Sequence, residues 1–256
     1  MNNYFVDTHC HVFKSDYENI DEVLKDASNN CIKYVINNGS NDKYNKEVLE
    51  LIEKYPCMYG AIGIHPEDVD SYSLDDIKFI ENNISNKKIV AVGEIGLDYH
   101  YTKENKDEQI KLFEMQLSLA QKYDIPVIVH SRDATEDTIN SLKKFNCKGV
   151  IHSFSGSLET ARIYIKMGYM IGVNGVITFK NSKIKDVIKE VGFEHIVLET
   201  DSPYLTPEPF RGKQNNPGHV LEVAKFVANL YGISLEELAV QTNKNVTNMY
   251  KKMKLD

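Results

Sequence analysis

The residues with most chemistry to offer are histidines and carboxylates that stand at the ends of short apolar runs. His9 and His11 are one residue apart in VDTHCHVF. In an extended segment alternate side chains share a face, so both imidazoles point one way and Cys10 the other. Two neutral imidazoles on one face are a natural start to a metal site. By itself the pair reads equally well as two polar residues at a strand end. Glu94 closes IVAVGE, where a carboxylate can bridge two cations through its two oxygens or pair with a neighbouring base. His130 closes PVIVH and His152 follows GVI. Each alone reads as a hydrogen-bonded core histidine. Together, beside a bridging carboxylate, they read as metal ligands. Asp201 follows VLET. It can ligate a cation and accept a proton from water, or cap the turn at Ser202 and Pro203. His65, in GIHPED, is a candidate substrate contact or a structural loop residue. Arg132 and Arg211 are candidate phosphate-binding cations, because a guanidinium fork matches phosphate oxygens. The alternative for both is ordinary solvated charge.

The segments that must position these residues alternate in type. Short runs rich in Val and Ile begin at Tyr4, Lys33, Met58, Ile89, Pro126, Gly149, Tyr169 and His195. They are apolar on both faces, as buried parallel strands are. Helical patterns lie between them, most clearly over 106–123, where Ile110, Phe113, Leu117 and Ala120 recur at helical spacing. Others cover 20–28, 41–55, 74–84, 135–145, 158–167, 182–191, 217–231 and 234–250. Ser234 followed by Glu237 predicts a capping box. Eight strand–helix units predict an α/β fold, a (β/α)8 TIM barrel, over an open doubly wound sheet. In that fold the strand C-termini converge on one face, which gathers these residues into one ring. The stretch 202–218 is the longest irregular one and reads as an active-site loop.

The chain has 256 residues, 42% hydrophobic and 26% charged. That length suits one barrel domain over 1–256. A formal net charge of -7 excludes attraction of a polyanion by bulk charge, so nucleic-acid contact would need a local basic patch or bound metal. Cys10, Cys31, Cys57 and Cys147 form no CxxC pair, which predicts reduced thiols in a cytoplasmic protein. The opening MNNYFVDTHCHVF has neither the basic nor the apolar region of a signal peptide, and no apolar run approaches a membrane span. A monomer is expected.

Taken in order, DTHCH at 7–11, GIHP at 63–66, VGEIGLDY at 92–99, VIVHSRDA at 127–134, HSFSG at 152–156, ETDSPYL at 199–205 and RGKQNNP at 211–217 resemble the TatD family of metal-dependent deoxyribonucleases, within the amidohydrolase-like barrel superfamily. The resemblance spans nearly the whole chain. It implies two divalent cations (Mg, Mn or Zn), the first surrounded by His9, His11, Glu94 and Asp201 and the second by Glu94, His130 and His152. Glu94 stands where many barrel amidohydrolases carry a carbamylated lysine, so no lysine modification is required. Gln214 and Asn216 replace the basic and acidic residues of the usual RGKRNEP, which bears on substrate grip but not on the ligands. Two cations about 3.5–4 Å apart would acidify water and clamp both oxygens of an in-line phosphoryl displacement, with Asp201 taking the proton. The resulting expectation is a phosphodiester hydrolase, a deoxyribonuclease with 3'-5' exonuclease-like action on single-stranded DNA. An amide or ester hydrolase of small molecules or aminoacyl-tRNA shares every ligand and is the alternative. A non-catalytic metal-binding barrel fits the complete ligand set least well.

Overall fold

The computed structural model describes residues 4–255. Among them one sheet of eight parallel strands runs in sequence order. The strands are β1 (Phe5–Cys10), β2 (Ile32–Asn38), β3 (Met58–Ile62), β4 (Ile89–Asp98), β5 (Val127–Arg132), β6 (Gly149–Ile151), β7 (Met170–Val173) and β8 (Ile196–Leu198). Helices α1 (Ile20–Asn29), α2 (Asp42–Lys54), α3 (Leu74–Asn83), α4 (Lys106–Lys122), α5 (Thr135–Leu142), α6 (Leu158–Lys166) and α7 (Ile184–Val191) separate them, and α8 (Val220–Tyr231) and α9 (Leu235–Met249) follow. The predicted (β/α)8 barrel is the observed fold.

The barrel closes just beyond β8 rather than within it. Cys10 bridges Ser202 in parallel. The Asp201 N–H donates to the His9 carbonyl at 2.9 Å and the His11 N–H to the Ser202 carbonyl at 2.7 Å. Closure therefore sets Asp201 beside His9 and His11. Two predicted boundaries shift. β4 continues four residues past Glu94, to Asp98. The predicted helix 217–231 divides into a short 3-10 turn, Pro217–His219, and α8. At the start of α9 the Ser234 hydroxyl accepts the Glu237 N–H, which is one half of the predicted capping box.

Apolar side chains fill two regions. Between sheet and helices lie residues such as Ile62, Leu112, Phe113 and Leu117. Inside the barrel, Val6, Ile36, Ala61, Val90, Ile128, Val150 and Val197 meet Val246, Met249, Tyr250 and Met253 from α9 and the tail. The Asn243 amide donates to the carbonyl of Tyr4, at the head of β1. The C-terminal segment thus plugs the N-terminal end of the barrel, and the opposite mouth is left for a site. No helix among the described residues is long and apolar enough to cross a membrane.

The mouth is tied to the helices by buried carboxamides. Asn45 of α2 pairs both polar groups of the Gly63 backbone, donating to its carbonyl at 2.8 Å and accepting its N–H at 3.1 Å. Gln116 of α4 does the same for Ile64, at 3.0 and 2.8 Å. Gln109 of α4 does so for Asp98, at 2.9 Å for both bonds. These backbones lie at or past the strand ends, where buried peptide groups still require partners. Gln116→Leu would leave a buried N–H and C=O unpaired, so a stability loss of about 2–4 kcal/mol is expected from denaturant unfolding. A loss below about 1 kcal/mol would show that solvent reaches the freed peptide.

Candidate metal centre

All the histidines and carboxylates that the sequence singled out converge at the C-terminal mouth. His9 and His11, separated by the outward-turned Cys10, bring their Nε2 atoms 3.1 Å apart. Cys10 instead packs toward the Ile36 carbonyl, in the apolar layer. Glu94 comes between two sets of imidazoles. Its Oε2 lies 3.4 Å from His9 Nε2 and 3.5 Å from His11 Nε2. Its Oε1 lies 2.9 Å from His130 Nδ1, 3.7 Å from His65 Nε2 and 3.8 Å from His152 Nε2. Asp201 Oδ1 is 3.5 Å from the Nε2 atoms of both His11 and His152 and 3.7 Å from that of His9. Asp201 has φ of 58°, a left-handed turn that aspartate tolerates better than most residues and that aims its carboxylate back at β1.

The electrostatics are those of a site built for positive charge. Burial works against ionisation of Glu94, but His9, His65 and His152 and the hydrogen bond with His130 hold its carboxyl well below the usual range. Burial likewise opposes charge on His130, and its hydrogen bonds with Asp98 and Glu94 override this and push it up to about 9. For His152 the burial penalty is outweighed by Glu199, Asp201 and Glu94, which raise it to about 10. His65, buried and beside the charge of His130, falls to about 3. The carboxylates thus favour positive charge on His130 and His152, and a cation in the cluster would meet the same need, since ligating imidazoles are neutral. The donor set fits such an ion. Three groups can hold a metal: His9 with His11 and Asp201, His65 with Glu94 and His130, and His9 with His152 and Glu199.

His65 therefore sits among potential ligands and also lines the cavity above the cluster. The cavity above the cluster measures about 830 Å³, and Arg132 and Lys183 line it, as do Asp16, Glu67 and Asp68. Arg211 does not line it. Its guanidinium rests 4.2 Å from the centre of the Phe179 ring. Two acidic residues went unnoticed in the sequence. Asp98 Oδ2 accepts from His130 Nε2 at 2.8 Å, and Glu199 lies 3.0 Å from His152 Nδ1. A two-residue alternation was the available signal: Asp98 is in phase with Glu94 along β4, and Glu199 with Asp201.

Parallel barrels with a mouth of this kind include the metal-dependent hydrolases, and comparison with known proteins narrows the class. The chain belongs to the TatD related DNase family, whose model matches residues 6–251. It is 38% identical to the uncharacterized metal-dependent hydrolase YabD of Bacillus subtilis (strain 168) over 250 residues, 96% of this chain and 98% of YabD. It is 31% identical to human deoxyribonuclease TATDN3 over 264 residues, 97% of this chain and 95% of the human protein. Among solved structures, the TatD homologue YJJV of Escherichia coli K12 superposes with a TM-score of 0.89 at 32% identity, covering 98% of this chain and 99% of YJJV. The chain is thus a metal-dependent hydrolase.

Proposed function

We propose that the protein hydrolyses phosphodiester bonds at an end of single-stranded DNA, with two divalent cations held by His9, His11, Glu94, His130, His152 and Asp201, and with His65 beside the second. The division of the Glu94 carboxylate carries this reading: one oxygen faces His9 and His11, the other His65, His130 and His152. One carboxylate between two imidazole sets suits a pair of ions sharing a bridging ligand. Such ions, when bound, supply Lewis acidity to water and to both oxygens of an in-line displacement.

The chain's own residues do the rest. Asp201 borders the cavity with its side chain 15% exposed, so it can orient water and accept its proton. Arg132, at the end of β5, lines the cavity and is the cation to grip a phosphate. Asp16, Glu67 and Asp68, which also line the cavity, repel a polyanion, and the cavity has the volume of a small-molecule site. Both features favour a strand end over a duplex interior. They also imply few phosphate contacts and a shallow dependence of binding on salt. The name of the human relative, a deoxyribonuclease, agrees.

The test is degradation of single-stranded DNA labelled at either end, with Mg²⁺, Mn²⁺ or Zn²⁺ and with chelator. Metal-dependent release of short products is expected, the label reading a 3'-to-5' direction. Hydrolysis of amide or ester substrates, with no phosphodiester cut under any of these metals, would overturn the nuclease reading and leave a barrel hydrolase of another substrate.

A further inference from the structure

Behind the proposed ligands lies a carboxylate that catalysis does not touch. Glu199 directly follows β8 and is 0% exposed. Removing a carboxylate from water is costly unless partners offset it. Glu199 Oε1 accepts the Ser153 N–H at 2.6 Å. The same oxygen lies 3.0 Å from His152 Nδ1, without the alignment of a full hydrogen bond. Oε2 has no hydrogen-bond partner among the described residues. The sequence nonetheless makes room for this group. A Cβ at Gly172, on β7, would come within 2.6 Å of Oε2 and 2.8 Å of Cδ, so glycine leaves the hollow that the carboxylate fills.

On its other side, the rings of His9 and His152 stack with centroids 3.5 Å apart and planes inclined by 18°. Both Nε2 atoms face forward: that of His9 lies 3.4 Å from Glu94 Oε2, and that of His152 lies 3.5 Å from Asp201 Oδ1. Stacked rings with Nε2 forward carry Nδ1 behind. His9 Nδ1 is buried with no partner among the described residues. One nitrogen each of His9 and His152 and one oxygen of Glu199 lie within 4.8 Å of one another.

We propose that Glu199 is a positioning residue shared by His9 and His152. Its carboxylate, seated in the Gly172 hollow, accepts hydrogen bonds from the Nδ1–H groups of both rings and so turns both Nε2 lone pairs toward the cavity. This rests on the reading of the two histidines as metal ligands. The other imidazoles have acceptors of their own, the Asn38 carbonyl 2.9 Å from His11 Nδ1 and Asp98 Oδ2 2.8 Å from His130 Nε2. A partner behind a ligating histidine fixes its tautomer and raises its basicity. Here one partner serves a ligand of each proposed ion, so both ions depend on it together.

Co²⁺ is the probe, because its visible absorption reports ligand geometry with no substrate present. Glu199→Gln keeps the size of the side chain but offers an N–H donor where an acceptor is required. The expected result is a 10–100-fold loss of Co²⁺ affinity in chelator competition, affecting both equivalents, with a changed visible band. Glu199→Asp keeps the charge and is expected to recover part of that loss. Gly172→Ala leaves Glu199 chemically intact but displaces it, and the same band is expected to shift in the same direction. These two variants carry the test should Glu199→Gln not fold. Wild-type Co²⁺ affinity and spectrum in folded Glu199→Gln, or in both other variants, overturn the proposal. None of these readings involves DNA, so a failure of the nuclease reading is seen separately, in the end-labelled assay.

Discussion

Glu94→Ala is expected to strip the protein of both cations at once. Each oxygen of this carboxylate faces a different set of imidazoles, and no other carboxylate among the described residues touches both sets in that way. Without it, Asp201 still faces His9, His11 and His152, but no carboxylate joins these to His65 and His130. Lewis acidity from bound ions is worth several kcal/mol of transition-state stabilisation, and each 1.36 kcal/mol is tenfold in rate, so turnover should fall about 10³-fold or more. Elemental analysis of the purified variant, with circular dichroism to confirm folding, checks the first half. Two equivalents of metal retained at wild-type affinity would sink the bridging assignment.

Asp201→Asn separates proton transfer from ligation. Asparagine keeps the shape and one oxygen that can face His9, His11 and His152, so metal content should stay near the wild-type level. The lost property is basicity. Burial opposes the charge of Asp201, but His152, His11 and His9 together hold its carboxyl below the ordinary value, so the wild-type group is ionised at neutral pH. A positioned proton acceptor typically contributes about 10²–10⁴-fold, and the turnover number of the metal-replete variant should drop within that range. Turnover within a few-fold of wild type, with metal present, would show that another group takes the proton.

The barrel and the ring of candidate ligands could be read in the sequence because each rests on a local signal. Runs such as PVIVH and IVAVGE are apolar on both faces, a pattern that suits a strand covered on both sides, and a polar residue ending such a run stands out. What escaped reading depends on contacts between distant segments. Glu199 was not singled out because its partners come from distant segments, His152 and Ser153 from the loop after β6 and Gly172 from β7. Asp98 was hidden because nothing local shows that β4 runs on beyond Glu94. Arg211 shows how little position alone says of a loop side chain. Its position after β8 suggested the active face, but a loop residue's direction is set by packing, here against Phe179. His65 joins the cluster because β3 ends at Ile62 and a backbone held by Asn45 and Gln116 carries the chain inward, a geometry that no hydropathy pattern records.

Those carboxamides also decide how the mouth comes apart. Loops at the ends of barrel strands ordinarily fray one by one, at a small fraction of the free energy of global unfolding. Gly63, Ile64 and Asp98 cannot leave their places without freeing amides buried on α2 and α4. Segments from β3 and β4 that carry His65, Glu94 and Asp98 are thereby joined to two outer helices as one cooperative opening unit. The metal centre is lost when that unit opens, not when a single loop does.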